Sequence, residues 1–275
     1  MKMPKITNEI NELKKEYDEA RNNPDVFYAA DFLKRGGSVI DTDGERKTIS
    51  NVIVSWMEKD NPLLKVSPVK TSLSYIINHS GKQTGKTQIS NRFEELTAMA
   101  LFKRRNYENS DIDYVVDYQV PIERSKNKTK GIGKIDLVAV SHRKKKIYLM
   151  ELKRHSNVQE SLLRCVAESY TYYRQIDKGE LAKQVASSEK LKVDMKKSND
   201  DICLTSVQTY EVLPAVMVFE NQRQHNQYMS KHFNKVRTLM KDLNVSMFVI
   251  KAPKDYRDKN FAEIIPTSEI LDITG

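Results

Sequence analysis

Asp136, Glu151 and Lys153 are the residues of this chain whose types and spacing could do chemistry. They sit in two apolar runs, Asp136-Leu-Val-Ala-Val140 and Ile147-Tyr-Leu-Met-Glu151-Leu-Lys153, joined by the basic segment Ser141 to Lys146. If Val140 faces Ile147 across a hairpin, Val138 meets Leu149 and Asp136 meets Glu151. Directly opposed residues of an antiparallel pair share a face with β-carbons about 4.5–5.5 Å apart, where like charges repel. A divalent cation bound between the two carboxylates would offset that repulsion. Strand alternation puts Lys153 on the face of Glu151, beside any such ion. The pattern predicts a metal site with an adjacent ammonium group.

The elements that must position these groups follow from hydrophobic periodicity. Phe93, Leu96, Ala100 and Leu101 form a helical stripe that ends at Lys103-Arg-Arg105. Tyr114 to Val120 reads as a strand stopped by Pro121. After the Asp136/Glu151 hairpin, a helix is expected from about Val158 to Gln175, with Leu163, Val166, Tyr170 and Tyr173 inward. Val212 to Phe219 reads as an apolar strand, in which Pro214 suggests a bulge or an edge position. A long helix over His225 to Leu243 and a strand over Val245 to Ile250 complete the series. Together these elements predict a mixed sheet flanked by helices.

Upstream, Ile6, Ile10, Leu13 and Tyr17 mark a helix, and Asp43-Gly44 a hairpin turn between Val39-Ile40 and Lys47-Thr48-Ile49. A mixed region interrupted by Pro62 and Pro68 follows, with a short helix expected around Thr71 to Asn78. The polar run Gly81 to Lys86 reads as a linker, dividing the chain into residues 1–85 and 86–275. Gly81-Lys-Gln-Thr-Gly85-Lys86-Thr87 is not a phosphate loop, because only three residues separate its glycines where four are needed.

The chain has 275 residues and a net charge of +9. Glu123 to Arg154 holds eleven Lys and Arg against three acidic residues, a surplus of eight that accounts for most of that charge. A cationic field beside a carboxylate centre suits a polyanionic substrate such as a phosphodiester backbone. Lys134, Arg143, Lys144, Lys145 and Arg154 are the candidate nucleic-acid contacts. A mean hydropathy of −0.62, and no apolar stretch near the roughly 18 residues a bilayer needs, point away from a membrane. Cys165 and Cys203 give no disulfide framework, and a cytoplasmic location is expected.

A helix with Phe93-Glu94, a strand with Ile135-Asp136, a strand with Glu151-Leu152-Lys153 and a further helix together resemble the PD-(D/E)XK nuclease superfamily, in its Mrr-like, resolvase-like and RecB-like branches. The resemblance spans roughly residues 88–251. It implies an α/β fold with a restriction-endonuclease-like mixed sheet flanked by helices, preceded by a smaller N-terminal α+β region. It further implies Mg²⁺-dependent phosphodiester hydrolysis, with Mn²⁺ as substitute and DNA as partner. Asp136, Glu151, Glu94 and the Leu152 carbonyl would be ligands, and Lys153 would position the attacking water. Glu168-Ser-Tyr-Thr-Tyr172 resembles the Gln-x-x-x-Tyr of RecB-like members, with Glu replacing Gln. Glu168, Tyr172 and Arg164 are therefore expected to support the site. Residues 1–85 carry no motif that chooses between reading sequence, regulation and homodimer formation. Two other readings stay open: an inactive nuclease-fold module that binds nucleic acid, and a basic module that docks an acidic protein.

Overall fold

The computed structural model describes residues 6–41, 43–69, 74–79, 93–104, 107, 109–122, 133–153, 160–198, 204–251 and 268–274. The boundary expected near residue 85, Arg154 and Cys203 lie outside them. No helix among the described residues is long and apolar enough to cross a membrane.

Helix α1 (Ile6–Ala20) buries Ile10, Leu13 and Tyr17, spaced three and four apart on one face. The Tyr17 ring anchors that face, 5.9 Å from Phe27, 6.2 Å from Phe32 and 5.4 Å from Trp56. Strands β1 (Ser38–Ile40) and β2 (Arg46–Thr48) pair antiparallel around Asp43-Gly44, as expected. Gly44, at φ +82°, supplies the left-handed turn residue. Ile49, expected in the second strand, instead opens helix α2 (Ile49–Met57), because the Thr48 side chain caps it by accepting from the Asn51 amide at 3.3 Å. The helix expected around Thr71–Asn78 is not seen over residues 74–79. Three donors there, the Ser74 hydroxyl and the Tyr75 and Ile76 amides, converge on Gln184 Oε1, holding the backbone outside a helical pattern.

The remaining elements are α3 (Phe93–Lys103), β3 (Tyr114–Pro121), β4 (Lys134–Ser141), β5 (Lys146–Lys153), α4 (Leu162–Gln175), α5 (Lys178–Ser187), α6 (Glu189–Ser198), α7 (Leu204–Val207), β6 (Glu211–Phe219), α8 (Arg223–Met229), α9 (Asn234–Asp242), β7 (Ser246–Lys251) and β8 (Glu269–Asp272). Strands β3 to β8 form one six-stranded mixed sheet in sequential order. The β3–β4, β4–β5 and β7–β8 pairs are antiparallel, and β5–β6 and β6–β7 are parallel. One face packs Leu137, Tyr148, Met150 and Met217 with Leu101 and Phe102 of α3. The other carries Val138, Leu149, Val216 and Val249 beneath α4, α5 and α9. Ile10, Phe27 and Val52 of the N-terminal region share an apolar cluster with Leu163 and Val166 of α4.

Four expectations are corrected. Strand β6 is central rather than at an edge. Pro214 is tolerated because β6 meets β7 only from Ala215, so no β7 residue lies opposite the proline. The long helix over 225–243 is broken at Ser230, whose extended backbone (ψ 133°) ends α8 and whose side chain caps the following turn at His232. Helix α3 buries Thr97, Ala98, Leu101 and Phe102, while Leu96 and Ala100 of the expected stripe are half-buried. The helix placed from Val158 begins at Leu162, where Ser161 accepts from the Arg164 amide.

Candidate active site

The hairpin β4–β5 has the expected register: Val140 faces Ile147, Val138 faces Leu149 and Leu137 faces Met150. The ladder ends at that last pair, one residue short of the expected Asp136–Glu151 pair, so both carboxylates flank its open end. Asp136 Oδ2 accepts the Leu152 amide at 2.9 Å, and Oδ1 accepts Gln119 Nε2 at 2.8 Å. Leu152 therefore enters the site through its N–H. The Lys153 ammonium lies 2.6 Å from Glu151 Oε1, 3.1 Å from Glu160 Oε2 and 3.5 Å from Glu168 Oε2.

Helix α4 supplies the opposite wall. Arg164, Glu168 and Tyr172 are spaced four apart and so share one helical face. Tyr172 donates to Glu168 Oε1 at 2.9 Å, and Arg164 Nε is 3.1 Å from Glu160 Oε1. The Tyr28 ring of the N-terminal region packs edge-on against Tyr172 with centroids 5.4 Å apart. Gly133, just before β4, passes so close that an added β-carbon would lie 2.4 Å from the Tyr172 hydroxyl.

Asp136, Glu151, Lys153 and Glu168 are all buried. Burial pushes the Asp136 carboxyl up to about 7; Lys153 opposes the rise, while Glu94 and Glu168 add to it. Glu151 is raised well above the usual carboxylate range by burial and then by Glu168, against the pull of Lys153. Burial alone would lower the Lys153 ammonium, but Glu151 and Glu168 outweigh it and hold it well above the ordinary lysine value. Glu94 acts on both Asp136 and Lys153, whereas Glu95 acts on Tyr118, so Glu94 is the helix carboxylate on the site side.

Glu94, Asp136, Glu151, Glu160 and Glu168 thus set five carboxylates around Lys153 and Arg164, and the raised values of Asp136 and Glu151 show the strain of gathering them. Glu160 Oε2 and Glu168 Oε2 are buried and make no aligned hydrogen bond; their contact with Lys153 is ionic only. An all-oxygen, acid-rich donor set of this kind fits Mg²⁺ or Mn²⁺, hard ions that need only one or two protein carboxylates and keep several waters. Among the described residues no three His, Cys, Asp or Glu side chains are drawn together at ligand distance.

The basic residues divide. Lys134 is exposed at the start of β4, two residues from Asp136. Arg143, Lys144 and Lys145 lie in the turn at the far end of the hairpin, five residues or roughly 17 Å along β4 from the carboxylates. Their expected place around the acidic pair is corrected. Lys144 is instead 3.0 Å from Asp272 and 3.2 Å from Asp111, and Arg143 donates to the Ser110 carbonyl at 2.8 Å. The turn thereby ties β8 and the segment before β3 to the sheet.

Gln119, Glu160, Gly133 and Tyr28 belong to this site without having been expected there. Glu160 immediately before the Ser161 cap was the one legible signal, since a carboxylate at a helix start is commonly placed there by the helix dipole. Compared with protein-family models, with curated proteins and with solved structures, the chain finds no match in any of the three.

Proposed function

We propose that this chain is a metal-dependent nuclease of the PD-(D/E)XK type, with a restriction-endonuclease-like core that hydrolyses phosphodiester bonds in DNA. One observation carries the reading: Asp136 and Glu151 are brought to one end of a hairpin by its register, buried, with Lys153 on the same face and the α4 carboxylates behind it. Gathering buried carboxylates is unfavourable unless protons or a cation join them. Asp136 and Glu151 would hold Mg²⁺ or Mn²⁺, which when bound supplies charge that polarises a phosphate and lowers the pKa of water.

The chain's own groups have separable tasks. Gln119 and the Leu152 amide fix the Asp136 carboxylate through one donor to each oxygen, leaving lone pairs for a cation. Lys153, held by Glu160 and Glu168, offers its ammonium to the attacking water or to charge developing on the phosphate. Tyr172 keeps Glu168 oriented toward it. Lys134 is the described cation best placed to meet the incoming backbone.

A catalytically inactive module that binds nucleic acid is the second reading. It is favoured by the Lys153–Glu151 contact, which lets the ammonium stand in for a metal. The third, a basic module docking an acidic protein, loses its main support because Arg143 and Lys144 are engaged within the fold. Incubating the purified chain with linear duplex, circular duplex and single-stranded DNA, each with Mg²⁺, Mn²⁺ or a chelator, separates them. Metal-dependent fragments are expected. Salt-sensitive DNA binding without cleavage under any metal would select the inactive module.

A further inference from the structure

We infer that His79 is a nucleic-acid contact on the β3 side of this site, presented by Asp117 so that its outer nitrogen meets a backbone phosphate oxygen. The inference deepens the nuclease reading and rests on it.

Asp117 is a fully buried carboxylate on β3, where the pairing with β4 is interrupted by a bulge between Val115 and Asp117. Its Oδ2 accepts the Ile77 and Asn78 amides at 2.8 and 3.0 Å, and its Oδ1 accepts the Tyr118 amide at 3.0 Å. Three backbone donors therefore occupy three of its roughly four acceptor sites. The His79 Nδ1, 2.7 Å from Oδ1, takes the remaining one. The ring is also stacked on Tyr118, with centroids 4.2 Å apart and planes inclined by 30°. Two independent contacts thus fix the orientation of an imidazole that remains about a quarter exposed (27 %).

The backbone on both sides is unusual. Asn78 (φ +52°) and Gln119 (φ +49°) are non-glycine residues in the left-handed region, a conformation that must be held by its surroundings. Bulges and such residues recur where a side chain is re-aimed at a functional site. Here both devices act together, and the second one reaches the site directly: Gln119, two residues beyond Asp117, is the residue that donates to Asp136. Asp117 pairs with Val138, itself two residues along β4 from Asp136. Asp117, which holds His79, and Gln119, which holds Asp136, are thus two residues apart on the same irregular stretch of β3.

With Nδ1 given to Asp117, Nε2 is the nitrogen left for a ligand. As an imidazolium the ring would span two anions, donating from Nδ1 to the carboxylate and from Nε2 to a phosphate oxygen.

Fluorescence anisotropy of labelled duplex and single-stranded 20-mers, titrated with the full chain in EDTA, tests this without cleavage. In His79→Asn the side-chain amide can replace Nδ1 toward Asp117 but nothing replaces Nε2. That variant is expected to keep the urea midpoint and to bind DNA roughly tenfold more weakly. His79→Gln, which restores a distal donor, should recover affinity relative to His79→Ala. Wild-type affinity in His79→Asn, or equal affinities of the Gln and Ala variants, overturns the inference and leaves the nuclease reading standing. A wild-type chain that binds neither DNA in EDTA overturns the inference, and one that also yields no fragments with Mg²⁺ or Mn²⁺ overturns both.

Discussion

The Lys153 ammonium lies 2.6 Å from Glu151 Oε1 and reaches Glu160 and Glu168 as well, so one cation serves two buried carboxylates and the half-buried Glu160. Lys153→Ala removes it and strands those charges. Breaking a buried ion pair from one side costs about 3–5 kcal/mol, which urea unfolding in EDTA should register. DNA affinity should be retained and cleavage should fall by about 10²–10³-fold, the usual loss for a group that stabilises developing charge. Unchanged cleavage would remove the lysine from the chemistry.

Asp136 and Glu151 hold their protons more tightly in the folded chain than in the unfolded one, because burial disfavours their ionised forms. Folding then takes up protons between the ordinary carboxylate range and about 7, the raised value of Asp136. Stability from these groups is full below about pH 4 and is lost as pH rises toward that upper value. The thermal midpoint in EDTA is expected to fall between pH 5 and pH 8, and Asp136→Asn should flatten the profile. Mg²⁺ should raise the midpoint more at pH 8 than at pH 5, since it binds the ionised carboxylates. An identical pH profile in the variant would show that Asp136 does not carry the effect.

The hairpin was legible because two apolar runs, buried on both faces, flank a short basic turn, and pairing Val140 with Ile147 across it sets the register. Other parts were not, for identifiable reasons. Strand β8 offers only Glu269 to Asp272, too short for a period to show. Ser230 and Thr48 decide where helices break and begin through side-chain hydrogen bonds that hydrophobic spacing does not record. Gln119 reaches Asp136 from a left-handed backbone, which no propensity of glutamine suggests. The basic turn was near the carboxylates in sequence and far from them in space, because a hairpin puts its turn and its open ends at opposite poles.

Gly133 sits at φ +62° with the Tyr172 ring packed over it. Gly133→Ala meets two penalties: a left-handed backbone that disfavours a side chain, about 1 kcal/mol or more, and a β-carbon 2.4 Å from the Tyr172 hydroxyl. The clash should also displace Tyr172 from Glu168. In a double-mutant cycle with Tyr172→Ala, the alanine at 133 should be less harmful once the ring is gone. Additive losses would place the whole penalty in the backbone.

Arg143, Lys144 and Lys145 give the sharpest test of where the substrate lies. They are roughly 17 Å along the strand from Asp136, and Lys144 is committed to Asp111 and Asp272. Substrate running across the turn would require those contacts to open, whereas substrate at the Asp136 end would meet Lys134 instead. Arg143→Ala with Lys145→Ala should therefore leave cleavage within about twofold. Lys144→Ala should lower the unfolding midpoint slightly, because a partly exposed ion pair contributes at most about 1 kcal/mol. Lys134→Ala, by contrast, should weaken DNA binding and reduce its salt dependence by about one counterion. The reverse pattern, with the turn variants losing affinity and Lys134→Ala keeping it, would mean that the polyanion docks at the turn and that the carboxylate end serves another purpose.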